Sequence, residues 1–314
     1  MDFRFISVII PAHNEQKYLT QCLESLVSQD YPKDMYEIVV VDHNSKDNTC
    51  KIAEAFGVKV IDQNAGPVGA VRNAGAKQAN GELLAFIDAD CVAPVDWLSK
   101  GANFLIKHES VYGGGCNLRT PPYWIEKAWL LENKSPPKDL LGCCIFIKKA
   151  DFIKIGLFSE EITSGEDTKL SNSLKRQNYN VIMTEDLNVI HLGNPTTLKS
   201  FFLRQVWHSE NYIQNWHETK LDPTFYLLII FLIGLILFSS SLIYKNITGT
   251  ITSMFIIFCI PFIFTLKRLR RSKKPRNDLR NLPAIYFLDF VYLSGRVIGL
   301  CKSLWKIAMK FNSR

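Results

Sequence analysis

Short apolar runs alternate, over the first 90 residues, with segments in which apolar positions recur at helical spacing. The runs predict four strands, at residues 5–10, 37–41, 58–61 and 83–87. The segments between them predict three helices, at residues 18–29, 50–56 and 69–79. Strands that are apolar almost throughout and are separated by helices are typical of a parallel sheet covered on both faces. The pattern therefore predicts an α/β fold with a mostly parallel central sheet.

The pattern after residue 90 is mixed, and we interpret residues 91–195 as the second half of the same domain. It predicts a strand at residues 141–147, a helix at 167–177 and a strand at 181–183. Residues 196–222 follow as an aromatic-rich segment, with an amphipathic helix predicted over residues 196–216. Aromatic rings are favoured at the boundary between membrane and water, so we expect this segment to lie at a membrane interface.

Two uncharged runs of twenty residues, 225–244 and 247–266, are each long enough to cross the hydrocarbon layer of a membrane. We therefore expect two transmembrane helices within residues 223–266, although a buried core helix is the alternative for such a run. The basic loop that follows, residues 267–281, is expected to stay in the cytoplasm, because clustered Lys and Arg resist translocation. The N-terminal domain would then be cytoplasmic too.

The last apolar segment, residues 282–305, contains Asp289 and Arg296 and leads into a basic tail, so that helix and tail together make up residues 282–314 and end at Arg314. A full span would bury two charges and export the basic end of the chain. We therefore expect an interfacial or re-entrant helix here in place of a third span. The prediction is a multi-pass protein of the cell's inner membrane.

The charge distribution supports a membrane partner. Residues 1–222 carry 23 basic and 28 acidic side chains, whereas residues 223–314 carry 14 and 2. Because the basic residues flank long apolar runs, anionic lipid headgroups explain them better than nucleic acid does. The eight cysteines show no paired spacing typical of a zinc site, which favours buried, reduced thiols. No secretory signal precedes the first strand, so the N-terminal domain is expected to remain where it is made.

Polar residues follow three of the predicted strands, at positions 11–15, 42–47 and 88–90. In parallel α/β sheets, ligands bind beyond the carboxyl ends of the strands, so these segments should converge on one site in a nucleotide-binding half, residues 1–90. Asp88 and Asp90 are two residues apart in extended backbone and point the same way. Such a pair suits Mg²⁺ or Mn²⁺ bound to a diphosphate; a plain acidic turn is the alternative for an isolated pair.

A second acidic motif, Ser164 to Asp167, precedes the predicted helix at residues 167–177. Two interpretations fit it. Ser164 and Asp167 resemble a capping box, and acidic residues favour a helix start. A carboxylate at a helix start can also act as a catalytic base.

Five motifs, taken in order, resemble those of the family 2 glycosyltransferases over about residues 5 to 210. They read VIIPAHNE at residues 8–15, IVVVD at 38–42 followed by NSKDNT at 44–49, VRNAG at 71–75, FIDAD at 86–90 and GED at 165–167. The resemblance implies a GT-A fold, with residues 91–195 as the acceptor half, and transfer of a sugar from a nucleotide-diphosphate sugar with inversion at the anomeric carbon. The implied cofactor is Mn²⁺ or Mg²⁺.

The resemblance also implies roles for individual residues. Asp167 would be the general base, with Glu166 beside it, and Asp90 would bind the metal. The donor would be held by Pro11, Ala12, Glu15 and Asp42 around the nucleoside, with Asp88 at the ribose and Arg72 nearby.

Three further residues leave alternatives open. His43 stands where many members have a second acidic residue, so the identity of the base is not implied, and His43 fits a polar loop equally well. His191 resembles a histidine that completes the metal shell in some GT-A enzymes, or is a solvent-facing loop residue. Arg204 resembles a basic residue that closes over the donor diphosphate or the acceptor in membrane-bound members, or is an interfacial anchor.

Other classes of protein fit less well. An NAD-dependent oxidoreductase needs a glycine-rich turn after the first strand, where this chain has residues 11–15 as PAHNE. A nucleotidyltransferase would usually show a glycine- and lysine-rich phosphate loop. A non-catalytic nucleotide-sugar-binding membrane protein is the serious alternative. The expected partners are a nucleotide-diphosphate sugar, a saccharide or lipid-linked acceptor and membrane lipid, with no nucleic acid.

Overall fold

The computed structural model describes residues 3–107 and 110–312, so Arg314 of the basic tail lies outside the described residues. The chain divides into two compact units. The first unit comprises Met1–Pro121 and Pro136–Asn194, and the second comprises Pro122–Ser135 and Pro195–Arg314. One boundary between the units falls between Asn194 and Pro195, and the domain end expected at residue 195 stays a prediction. The sequence did not predict that Pro122–Ser135 would pack with the C-terminal helices.

The strands of the first unit are β1 (Ile6–Ala12), β2 (Tyr36–Asp42), β3 (Lys59–Asp62), β4 (Leu83–Phe86), β5 (Cys91–Val92), β6 (Ser110–Gly113), β7 (Cys116–Asn117), β8 (Ile145–Lys148), β9 (Asn180–Met183) and β10 (Val189–His191). They form a seven-stranded sheet with the order β3-β2-β1-β4-β8-β6-β9 and a three-stranded sheet with the order β5-β10-β7. Strands β1 to β4 are parallel, β8 runs antiparallel between β4 and β6, and β9 is parallel to β6. The predicted α/β fold with a mostly parallel sheet is confirmed.

Helices cover both faces of the large sheet. Successive residues of β1 point to opposite faces, so Val8 and Ile10 pack in one apolar cluster with Leu23 of α1, while Ile9 packs in the other with Val71 of α3. The helices of the first unit are α1 (Leu19–Val27), α2 (Thr49–Ala55), α3 (Val68–Gln78), α4 (Trp97–Lys107), α6 (Lys149–Lys154) and α7 (Glu166–Arg176), and α5 (Trp124–Trp129) belongs to the second unit. The predicted helices agree with these to within two residues.

The predicted strand at residues 141–147 is only half formed, because β8 begins at Ile145. Residues 141–144 make a tight turn in which the N–H of Cys144 donates to the carbonyl of Leu141 at 2.9 Å. The run is apolar, but Gly142 within it turns its backbone toward α7, where its N–H donates to Asp167 at 3.0 Å. A tertiary hydrogen bond therefore replaces the strand that the apolar pattern favoured.

The second unit contains long apolar helices. Helices α10 (Pro223–Ile243) and α11 (Ile247–Arg271) cover both predicted spans, and α13 (Leu282–Asn312) is longer than the apolar run that predicted it. Three segments of the described chain, Pro223–Ile243, Ile247–Arg271 and Pro275–Met309, are long and apolar enough to cross a membrane. The predicted helix at residues 196–216 is shorter in the structure. It comprises α8 (Leu198–Ser209). Two helices of a single turn, α9 (Trp216–Thr219) and α12 (Pro275–Asp278), also belong to the second unit.

A buried ion pair joins three parts of the second unit. Asp289 of α13 is fully buried, accepts from Arg268 of α11 at 2.7 Å and accepts from Thr265 at 2.8 Å. The Arg268 guanidinium also lies 3.7 Å from the ring centre of Trp129 in α5 and donates to its carbonyl at 3.1 Å. Arg268 therefore holds the Pro122–Ser135 segment and α13 against the end of α11.

We expect Asp289→Ala to lower the free energy of unfolding of the detergent-solubilised protein by about 3–5 kcal/mol, because it leaves Arg268 as a largely buried charge without its partner. The double variant Arg268→Met with Asp289→Leu should recover much of this loss, since both charges are then absent. Thermal unfolding of the three proteins measures the difference. Equal stability of the single variant and the parent would show that the ion pair does not hold these helices together.

Candidate active site

Three parallel strands end at the same edge of the large sheet. Ala12 lies opposite Asp42 in the pairing of β1 with β2, and Ile9 lies opposite Phe86 in the pairing of β1 with β4. The polar segments that follow these strands therefore start side by side. This is the convergence that the sequence predicted for residues 11–15, 42–47 and 88–90.

The Asp42 carboxylate stands at this edge and is buried. Its Oδ2 atom accepts from the backbone N–H of Ser45 at 3.1 Å, while its buried Oδ1 atom accepts no hydrogen bond from the residues that the structure describes. The N–H of His43 donates to the carbonyl of Ala12 at 2.8 Å, which joins the ends of β1 and β2. An unsatisfied buried acceptor at a strand end suits a ligand N–H or O–H.

The imidazole of His43 lies next to the backbone that directly follows β3. Its Nδ1 is 2.6 Å from the carbonyl of Gln63, so Nδ1 carries the proton and Nε2 is left as an acceptor in the neutral ring. The ring of His13 lies 5.7 Å away, between ring centres. The two imidazoles give this end of the site an aromatic, polar surface in place of a second carboxylate.

Glu15 shows that negative charge is concentrated here. Burial and, after it, the nearby charges of Asp90, Asp88 and Asp47 together raise the pKa of Glu15 to about 7. The raised pKa therefore reflects both burial and acidic neighbours. A bound cation would relieve that repulsion.

Arg72 connects two of the acidic motifs. Its guanidinium is 3% exposed and donates to Asp88 Oδ1 through Nη2 and to Glu166 Oε1 through Nη1, both at 2.6 Å. Burial disfavours its charge, but the two carboxylates outweigh burial and raise its pKa. Glu166 is itself buried, which raises its pKa, while Arg72 opposes that shift. The interaction joins Glu166, at the start of α7, to Asp88, which follows β4 and lies 78 residues earlier in the chain.

Asp167 is held by two backbone amides. Its Oδ2 accepts from the N–H of Gly142 at 3.0 Å and its Oδ1 from the N–H of Thr168 at 2.7 Å. Burial raises the pKa of Asp167, and these two hydrogen bonds oppose the shift. The capping box considered from the sequence is not formed: α7 begins at Glu166, and Gly165, with φ of +82°, occupies the position before it.

Asp90 and His191 lie together on the small sheet. His191 is 7% exposed, its Nε2 is 3.7 Å from Asp90 Oδ1, and its Nδ1 is buried without a hydrogen-bond partner in the described part of the chain. The loop after β10 approaches closely, because the N–H of Leu192 donates to the carbonyl of Asp90 at 2.7 Å. A side chain at Gly193 would collide with the Asp90 carboxylate, so only glycine fits there.

The structure brings together most of the predicted site residues, and it adds three that the sequence did not single out. Gly142 positions Asp167, Gly193 lies against Asp90, and Cys91 places its sulfur 3.6 Å from Asp90 Oδ1. The position of Cys91, directly after the acidic pair, was the one available signal. Arg204 lies on α8 in the second unit, and its assignment to the donor site stays a prediction.

Comparisons with known proteins agree with this geometry. Residues 7–151 match the family model described as Glycosyl transferase family 2. The glycosyltransferase AglE of Haloferax volcanii is 28% identical over 207 residues, which are 61% of this chain and 68% of that protein. The poly(ribitol-phosphate) beta-N-acetylglucosaminyltransferase TarS of Staphylococcus aureus is 40% identical over 110 residues, 33% of this chain. The match covers only 19% of TarS.

A solved structure shows the same fold over most of the chain. The mannosyltransferase PcManGT from Pyrobaculum calidifontis, in complex with GDP-Man and Mn²⁺, has a TM-score of 0.62 and 16% identity, and the match covers 98% of this chain and 88% of that one. The mostly parallel sheet and the structural neighbours identify the GT-A fold. In its motifs, in the family model that matches residues 7–151 and in its fold, the chain is similar to the family 2 glycosyltransferases.

Proposed function

We propose that this protein transfers a sugar from a nucleotide-diphosphate sugar to an acceptor hydroxyl with inversion at the anomeric carbon. One observation carries the proposal: the buried Arg72 guanidinium binds Asp88, at the donor end of the sheet, and Glu166, next to the candidate base. A single in-line displacement needs a donor site and a base held in a defined relation. Arg72 supplies that relation inside one unit.

The donor side is formed by the strand ends. Pro11 and Ala12 end β1, the free acceptor of Asp42 faces the edge where a nucleoside would lie, and Glu15 follows. Asp88 is partly exposed beside them and would face the ribose. The proposal does not specify the base, because His43 replaces the second acidic residue of many relatives.

A divalent cation, Mn²⁺ or Mg²⁺, fits the metal ligands that Asp90 and His191 offer. The Asp90 carboxylate and the His191 ring nitrogen face each other, and the acidic surroundings that raise the pKa of Glu15 need a counter-charge. When bound, the ion would neutralise charge that develops on the departing diphosphate. The protein's contribution is to hold Asp90 in place through the loop at Leu192 and Gly193.

Asp167 is the base in this proposal. The amides of Gly142 and Thr168 fix the orientation of its carboxylate, and Arg72 neutralises the adjacent Glu166, so that the pair does not carry two uncompensated charges. Asp167 would accept the proton of the acceptor hydroxyl as that oxygen attacks the sugar. A non-catalytic binding protein has no need for a carboxylate held in this way.

We also propose that α10 and α11 are the membrane spans and that α13 lies across their cytoplasmic end. The two spans are antiparallel, since Ser241 near the end of α10 hydrogen-bonds Thr250 near the start of α11 at 3.0 Å. The start of α10 and the end of α11 therefore lie at the same side of the membrane. Asp289 of α13 binds Arg268, three residues before the end of α11.

The other half of α13 returns to the same side. Ser303 accepts from the N–H of Ile213 at 3.3 Å, and the neighbouring Tyr212 ring packs at 5.5 Å on Phe225, at the start of α10. Residues 289 to 303 extend for about 21 Å at about 1.5 Å per residue, yet they begin and end at one end of the pair. A third span would instead carry residue 303 toward the opposite side. Of the two charges that argued against a span, Asp289 is paired with Arg268 in this position, and Arg296 donates a hydrogen bond to the Tyr212 hydroxyl at 3.0 Å.

An acceptor at the cytoplasmic membrane face follows from this arrangement. The exposed basic residues Arg270, Arg271, Arg276 and Arg280 would lie beside anionic headgroups, and the catalytic unit would remain close to lipid. We propose a lipid-linked or surface-glycan precursor as the acceptor. The names of the relatives, which include a transferase acting on poly(ribitol-phosphate), support a saccharide polymer or its precursor.

We expect excess chelator to abolish release of nucleoside diphosphate in a donor screen, and Asp90→Asn to do the same at ordinary Mn²⁺ concentrations, because the leaving group then lacks its counter-charge. Asp96→Asn is the matched control, since Asp96 pairs only with Lys100 on the surface at 2.7 Å among the contacts that the structure describes. Undiminished transfer in chelator would refute metal dependence.

A stability measurement tests the same site without turnover. In the metal-free folded protein the pKa of Glu15 is raised from its ordinary value of 4.5 to about 7. The folded protein therefore holds this proton more tightly than the unfolded chain does, and the free energy of unfolding falls as the pH rises from 4.5 to 7. Glu15→Gln should flatten this pH dependence of the melting temperature, and Mn²⁺ should stabilise the parent most above pH 7. No pH-dependent difference between parent and variant would contradict the charge concentration.

For Asp167→Asn we expect the transfer rate to fall by roughly 10²- to 10⁴-fold, because the amide cannot accept the proton. Donor affinity should change little, since the proposed donor contacts lie elsewhere. Asp151→Asn is the control, because Asp151 also lies in the first turn of a helix, α6. Transfer by Asp167→Asn within a few-fold of the parent would exclude the base, and lost donor affinity would move Asp167 into the binding site.

Cysteines introduced one at a time at positions 246, 273 and 309, in a protein whose eight natural cysteines are replaced by Ser or Ala, test the membrane arrangement. We expect an impermeant thiol reagent to label position 246 in intact cells and to label positions 273 and 309 only after permeabilisation. The reason is that the basic loop at residues 267–281 is expected to stay on the cytoplasmic side of the membrane. Labelling of 309 from outside would establish α13 as a third span. Labelling of 273 from outside would invert the whole orientation.

A further inference from the structure

We propose that the thiol of Cys91 is a third protein ligand of the metal site at Asp90 and His191, so that the site binds thiophilic divalent ions, such as Zn²⁺ and Cd²⁺, in preference to Mg²⁺. This inference rests on the metal site of the proposed function and identifies the class of ion that it takes. Asp90 and His191 alone would favour no soft metal strongly. The added sulfur changes that preference.

The backbone places the three ligands on one side of the small sheet. In the antiparallel pairing of β5 with β10, Cys91 lies directly opposite His191, and directly opposite residues project from the same face. Asp90 immediately precedes Cys91 at the start of β5. The three ligand atoms, one from each residue, all lie within 4.8 Å of one another.

The distances match the spacing of ligands around one ion. Cys91 Sγ is 3.6 Å from Asp90 Oδ1, and His191 Nε2 is 3.7 Å from the same oxygen. Zinc bonds of about 2.3 Å to sulfur and about 2.0–2.2 Å to oxygen or nitrogen, at tetrahedral angles, separate ligand atoms by about 3.4–3.6 Å. These two separations need little adjustment for a zinc-sized ion, and the third, between the Cys91 sulfur and a His191 ring nitrogen, is no more than 4.8 Å.

The chemistry of the ligand set decides which ion is preferred. Mg²⁺ takes hard oxygen ligands and gains little from sulfur, whereas Zn²⁺ and Cd²⁺ bind thiolate, imidazole and carboxylate together. Three protein ligands also leave one tetrahedral position open, as in catalytic zinc sites, and a diphosphate oxygen of the donor can occupy it. A site of this composition binds a thiophilic ion without giving up its role at the leaving group.

A second thiol pair provides a test of whether Cys91 is the sulfur involved. Cys116 and Cys143 are free thiols whose sulfurs are 3.2 Å apart. Cys143 also shares a hydrogen bond with Cys91, so a site made of these three thiols is the alternative site for Cd²⁺. Replacing them one at a time separates their contribution from that of Cys91.

The experiment is a Cd²⁺ titration of the full-length, detergent-solubilised protein, followed by the ultraviolet thiolate-to-cadmium absorption. We expect absorption that saturates at equal amounts of ion and protein. In Cys91→Ser it should disappear, with Cd²⁺ affinity falling by more than about tenfold, or about 1.4 kcal/mol. The Kd for Mg²⁺, measured by competition, should change by less than roughly threefold, because Mg²⁺ does not need the sulfur.

Matched variants decide among the outcomes. Cys301→Ser, which removes an exposed thiol of α13, and Cys116→Ser should both keep the absorption. Absorption that persists in Cys91→Ser, or that is lost in Cys116→Ser or Cys143→Ser, would overturn the proposal and leave the Cys91 to Asp90 contact as a hydrogen bond. Cys91→Ala, with melting temperatures in the absence of metal, checks that a loss is not caused by unfolding.

Nucleoside diphosphate release by the parent protein with Mn²⁺, measured in parallel, separates the two proposals. Release together with Cys91-independent Cd²⁺ binding would overturn only the ligand assignment. Failure to release nucleoside diphosphate from any donor, with Cys91-dependent Cd²⁺ binding intact, would overturn the proposed function and leave the metal site standing.

Discussion

The buried guanidinium of Arg72 is the interaction on which the arrangement of the active site depends. It lies between Asp88, which follows β4, and Glu166, which begins α7, and it binds both at 2.6 Å. A buried charge is tolerated only where opposite charges surround it, so each of these carboxylates must stay where it is for the others to be stable. Donor-side and acceptor-side motifs are thereby held as one unit. Gly142 leaves the room that the guanidinium needs, because a side chain there would meet it at 2.5 Å.

The same constraint explains why the site is so acidic and yet folded. Arg72 balances Asp88 and Glu166, whereas Glu15 is a largely buried carboxyl near the charges of Asp90 and Asp88. Its burial and, after it, these charges raise the pKa of Glu15 to about 7. In the proposed reaction, a cation bound at this site would relieve the repulsion and would neutralise charge on the departing diphosphate.

A second buried charge organises the C-terminal helices by the same physics. Asp289 is an acidic residue in an apolar helix, where the hydropathy pattern alone predicts that a charge is unfavourable. The ion pair with Arg268 compensates this charge and holds α13 against α11. Because Arg268 also stacks on Trp129, a segment that interrupts the first unit in sequence is bound within the second. Ionisable residues in apolar helices are retained where a partner of this kind exists.

The sequence by itself determined the α/β class, the strand ends on which Asp42, Asp88 and Asp90 lie, and the two long apolar runs, because each depends on local periodicity or on a contiguous motif. It left open whether Asp167 caps a helix, and only the tertiary structure excluded the capping box, since Gly165 occupies the cap and the amide of Gly142 reaches the carboxylate from 25 residues away. The contacts of Arg72, the place of Cys91 opposite His191 and the packing of Pro122–Ser135 depend on residues distant in the chain. Local patterns contain no information about such pairs, because burial and strand register arise only when the whole chain is folded.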